Sequence, residues 1–107
     1  MATIARGSRD QAVERMRDVL DEYERDHPGA IATLYRHHSA GVRIRIIDER
    51  FNTMSTPDRH DHAWNYIASR LGSEEIQEIS VLLLISSREK NTEFMNTEFD
   101  DPVPCNF

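Results

Sequence analysis

The residues with the most chemical capacity stand side by side in Asp58-Arg59-His60-Asp61-His62. Imidazoles and carboxylates are the groups of general acid–base work and of metal ligation. His60 and His62 are two apart, so on a helix they diverge by about 200° and do not easily share an ion. Asp58 and His62 have one-turn spacing, but the pair still lacks two ligands of a four-coordinate site. Asp61 and His62 therefore read as solvated side chains. His60 lies four residues before Trp64, on the same side of the helix, and reads as a partly buried imidazole making one hydrogen bond. His37 and His38 are a second pair, one facing each side of a sheet at a turn, where they could bind metal with a partner protein. Cys105 is the only cysteine, and nothing near it fixes a base. There is no glycine-rich phosphate loop and no Gly-x-Ser-x-Gly elbow. The chain reads as a non-enzyme, with no catalytic residues and no resident metal.

A basic and aromatic group offers a different chemistry. Tyr35, Arg36, Arg43 and Arg45 could gather on one hairpin as an electrostatic and stacking surface for single-stranded nucleic acid. The whole chain opposes this. It carries 13 basic and 19 acidic residues, a net charge of −6, which repels a polyanion. At 107 residues it holds one domain. The lone cysteine fits a reducing compartment. No leader or membrane span is expected, since the longest wholly apolar run is Val81 to Ile85. A cytoplasmic protein is the expectation.

The elements that position these residues follow from periodicity. Residues 1–7 show none and are expected to fray. Ser8 is the expected cap of a first helix, with Val13, Met16, Leu20 and Tyr23 as its apolar stripe, and His27-Pro28-Gly29 ends it. Residues 30–38 and 42–49 are expected as two strands of a hairpin, with Gly41 taking a left-handed turn position. In the second strand Val42, Ile44 and Ile46 face inward while Arg43 and Arg45 face out. Ser55-Thr56-Pro57-Asp58 opens a second helix, buried through Ala63, Trp64, Ile67 and Leu71. A short helical turn at 73–77 leads to a third strand over 79–86. Its Val-Leu-Leu-Leu-Ile core is apolar on both faces, the pattern of a central or doubly covered strand.

The domain thus spans residues 8–87 in the order α-β-β-α-(α)-β. This is an α+β fold, a three-stranded mixed sheet with two main helices on one face. Residues 88–107 are an acidic tail, irregular or docked on the sheet. The open sheet face needs cover from that tail or from a second copy, in a homodimer.

Phe51, Ser55, Arg59, His60 and Trp64, with the strand exit from Asp48 to Phe51, resemble the BolA family in residue type and spacing. The element order is similar too, and implies a fold like the class II KH domain. The resemblance implies a non-enzymatic regulator acting through a protein partner, in that family a monothiol glutaredoxin sharing a [2Fe–2S] cluster. His37 or His38 would stand for the ligand in the hairpin loop. The family's second ligand, a His before the last strand, falls on Gln77, a poor ligand for iron. Thr53 and Ala63 also depart from the pattern, where the family usually has Gly and Val, and the Gly-x-x-Gly clasp of KH domains is absent. The expected cofactor is therefore none.

Overall fold

The computed structural model describes residues 2–7, 9–37, 41–89 and 94–100. His38, the turn residues Ser39 and Ala40, Ser8 and Cys105 lie outside the described residues.

Helix α1 spans Gln11–Asp26. Its cap is Asp10, whose Oδ1 accepts the Val13 N–H at 3.0 Å and relieves one of the helix's orphan donors. Val13, Met16, Val19, Leu20 and Tyr23 form its buried stripe. Strand β2, Ile31–His37, pairs antiparallel with β3, Gly41–Ile47, with Leu34 opposite Ile44 and Tyr35 opposite Arg43. Ala32, Leu34, Val42, Ile44 and Ile46 turn to the helices and make the floor of the core.

Gly41 does not take the left-handed position expected of it; among the described glycines, Gly7 and Gly29 have positive φ. Its requirement is space. A Cβ at residue 41 would stand 2.7 Å from Ser80 Cβ on the neighbouring strand.

After β3 the chain makes a tight 3-10 turn, Glu49–Thr53, that buries Phe51. Helix α2, Thr56–Ala68, starts as the sequence indicates, with Ser55 as cap and Pro57 in the first turn. A short α3, Ser73–Gln77, leads into β4, Ile79–Ile85, which runs parallel to β3.

The fold is α+β, but the sheet has four strands, not three, in the order β1-β2-β3-β4. The added strand is β1, Thr3–Ile4, parallel to β2, within the segment expected to fray. Two residues carry too little pattern to read, yet Ala2 is buried and its N–H meets Asp21 on α1. The second correction concerns β4. It lies at the edge of the sheet, not at its centre. Leu82 and Leu84 pack against the core on the helix side, so Val81 and Leu83 face the other way.

The sheet's other face carries α4, Phe94–Asp100. Phe99 is buried there, edge-on to the Tyr35 ring at 4.9 Å and beneath the Arg45 guanidinium at 4.7 Å. Arg6 grips the end of α4, donating to Phe99 O at 2.9 Å and to Asp100 O at 2.8 Å. Those carbonyls have no partner inside the helix, and a cation suits that end of it.

Candidate interaction site

The motif residues turn out to be mostly architectural. Phe51 is fully buried, and Ser55 Oγ accepts the Asp58 N–H at 3.3 Å. Arg59 ties three segments together. Its Nε donates to Met54 O at 3.1 Å, and its Nη1 donates to Leu84 O at 3.2 Å and to Glu89 Oε1 at 2.7 Å. The same Glu89 oxygen accepts the Ser86 N–H at 2.9 Å. These two donors hold the Glu89 carboxyl below its ordinary range, the Ser86 N–H first and the Arg59 guanidinium second.

Trp64 is not in the core. Ala63 and Ile67 are one turn apart and take the buried face, which leaves Trp64 at its border, half-exposed and stacked on the exposed His60 with ring centres 5.7 Å apart. Asp58 and Asp61 are exposed on the same helix, and His62 is half-buried against α1.

The hairpin cations expected to meet nucleic acid are already engaged. Arg36 is held by Asp10 and by Glu78 at 3.0 Å, with its side chain 8% exposed. Arg45 donates to Asn96 at 2.8 Å and to Asp100 at 2.6 Å. Arg43 donates to the Tyr35 hydroxyl at 3.2 Å, and His37 stands edge-on to the same ring at 6.0 Å. Helix α4 sits over the face that carries Tyr35, Arg43 and Arg45, whereas Arg36 turns to the opposite, helix side of the sheet, so the four side chains do not share one surface. Gln77 is exposed at the end of α3. Among the described residues, no three His, Cys, Asp or Glu side chains gather as a metal site.

Helix α2 and β4 instead frame a cleft of about 200 Å³, lined by Thr56, Arg59, His60, Leu82–Ile85 and Glu89. Comparisons with protein families, with curated proteins and with solved structures found no match to this chain. The cleft must be understood from its own geometry. Ile85 O accepts the Asp48 N–H at 3.0 Å, so Ile85 directs its backbone groups at β3. Alternation then turns those of Leu82 and Leu84 outward. Leu84 O agrees, since it is the oxygen that Arg59 reaches. The rim therefore has a defined end: Arg59 occupies Leu84 O and Glu89 occupies Ser86 N–H, while the Leu82 groups point out of the sheet.

Every residue of β4 except Ser80 is apolar, on both faces, and Val81 through Leu84 all remain partly exposed. Natural edge strands usually carry a charge, a proline or a covering segment against pairing with other chains. β4 has a bulge near its start, between Val42 and Arg43 on β3, and the Arg59–Glu89 cap at its end. Its middle has none of these devices among the described residues. Sequence reasoning found the apolar strand and Arg59, but neither the edge position nor the role of Glu89. Glu89 is thirty residues from Arg59 and belongs to no periodic pattern.

Proposed function

We propose that this chain is a non-enzymatic, BolA-like adaptor that recruits a protein partner by strand addition along β4. The observation that carries this reading is an edge strand apolar on both faces, with outward backbone groups beside an open cleft. An extended segment laid on such an edge gains main-chain hydrogen bonds, and alternate side chains enter the adjoining groove. The BolA resemblance supports the reading through the α-β-β-α-α-β core and through Phe51, Ser55 and Arg59, which brace the junction of α2 and β4. Cluster sharing with a monothiol glutaredoxin is no part of the proposal, because the amide of Gln77 cannot replace the imidazole the family uses there. Nucleic-acid binding is set aside because Arg36 and Arg45 are paired and covered.

The test uses two prolines. Leu82→Pro removes an outward N–H and should leave the β3–β4 ladder intact, since proline is tolerated on such an edge. It also trims a side chain that packs on the core, a loss that Leu82→Ala shares while keeping the N–H. Leu83→Pro removes a ladder hydrogen bond to β3 and should lower the thermal midpoint well below that of Leu82→Ala. Affinity capture with the natural chain should yield a partner that Leu82→Pro loses and that Leu82→Ala, which carries the same packing loss, retains. Retention of the same partner by Leu82→Pro would sink the proposal.

A further inference from the structure

A second group of polar rings gathers away from β4, where the end of α1 meets α2 and the 3-10 turn. The His27 ring stacks on Tyr23 with centres 4.1 Å apart, and the His62 ring stands perpendicular to it at 5.0 Å. Tyr66 closes the group at 5.7 Å from His27, with its hydroxyl donating to Asp26 at 2.6 Å. His27 Nδ1 lies 2.9 Å from the Tyr23 carbonyl. A carbonyl only accepts, so Nδ1 carries the proton and the neutral ring presents a bare Nε2. This is the second-shell arrangement that fixes the tautomer of metal-binding histidines.

Two further facts point to a ligand. The Tyr23 ring is fully buried and its hydroxyl has no hydrogen-bond partner, a condition that costs about 1–3 kcal/mol unless something accepts from it. No hydrogen bond to a His62 ring nitrogen is found among the described residues either. Both imidazoles are half-exposed, so an ion can reach them. Two imidazoles that share a tetrahedral ion at about 2.1 Å per nitrogen hold their ring centres about 5 Å apart, the separation found here.

We infer that His27 and His62 form a two-imidazole seat for a late first-row divalent ion such as Zn²⁺, with water completing its coordination. The Tyr23 hydroxyl then donates to an ion-bound water, and the orphaned group is satisfied. Asp26 and Asp48 outnumber Arg50 by one charge, a field that favours any cation alike. The ligand preference therefore comes from the imidazoles, which favour Zn²⁺, Cu²⁺ and Ni²⁺ over the hard cations. The site is separate from the β4 cleft and does not depend on its function.

Calorimetric titration of the full chain with Zn²⁺ tests this. One equivalent should bind with a micromolar dissociation constant. His27→Asn and His62→Asn should each weaken binding at least about tenfold, the loss of one ligand. His60→Asn on the exposed face of α2 should leave it unchanged. Because an asparagine at 27 or 62 could disturb packing, the unmutated chain supplies an independent reading. Co²⁺ added to it should shift the ring protons of His27 and His62 before those of any other histidine. Equal Zn²⁺ affinity in His62→Asn, no binding at millimolar Zn²⁺, or Co²⁺ shifts centred on His60 or His37 would each overturn the inference.

Discussion

Single side chains divide between α2 and its surroundings according to a few tens of degrees of helix phase. Trp64 is the largest residue in the chain, and a core position would make its truncation cost about 3–5 kcal/mol. Stacked on His60 at the border of the buried face, it should lose only about 1–2 kcal/mol in Trp64→Ala, measured by chemical denaturation. Glu89 allows a test of sign. Its carboxyl is held below the ordinary 4.5 by the Ser86 N–H and by Arg59. Its contribution to stability is therefore complete above pH 4.5 and lost as pH falls through the lower native value. Glu89→Gln should flatten that part of the acid-unfolding curve and leave the slope above pH 6 alone; an unchanged acid limb would show that the Arg59–Glu89 pair does not hold the rim. Arg59 itself stood out in the sequence, but only as part of a motif. That it braces Leu84 O depends on a strand twenty-five residues further along.

At the scale of elements, α4 is the least expected part. The second Asn-Thr-Glu-Phe of a short repeat supplies Phe99, which buries itself between Tyr35 and Arg45. Phe99→Ala should cost about 2–3 kcal/mol, below the usual range for a buried Phe because a seven-residue helix can partly collapse onto the gap. Thermal unfolding checks this, and a loss below about 0.5 kcal/mol would mean that α4 adds nothing to the sheet. Most of the remaining elements were legible. The stripe of α1, the alternation of β3 and the Ser55–Pro57 start of α2 are local signals, and local signals are what a sequence exposes. β4 was legible as a strand but misplaced. Apolarity on both faces reports how much surface a strand can bury, whereas strand order is decided by which side of β3 the α2–α3 crossover delivers the chain. β1 was missed because pairing between two-residue strands leaves no period. His27 was hidden in a helix-ending His-Pro-Gly, where only the ending was apparent.

The whole molecule sorts its charges more than its net value suggests. The guanidinium groups of Arg36, Arg45 and Arg59 lie within ion pairs, each with a carboxylate distant in sequence. These three cations are spent inside the fold, while Arg9, Arg15, Arg25, Arg50, Arg70 and Arg88 stay exposed among the carboxylates. Fluorescence anisotropy with a single-stranded oligonucleotide at low salt should show no binding, and a salt-sensitive rise would contradict the sealed hairpin surface. No helix among the described residues is long and apolar enough to cross a membrane.

Gly41 gives the β4 rim its least negotiable support. Where β3 begins, hydrogen is the widest substituent that lets the last strand come alongside, with Ser80 pressed against it. Side chains along the outer border can vary with whatever docks there only as far as Leu82 and Leu84 still fill the core behind them. A methyl group at position 41, on the strand next door, would wedge the border out of line and spoil the landing strip without touching it.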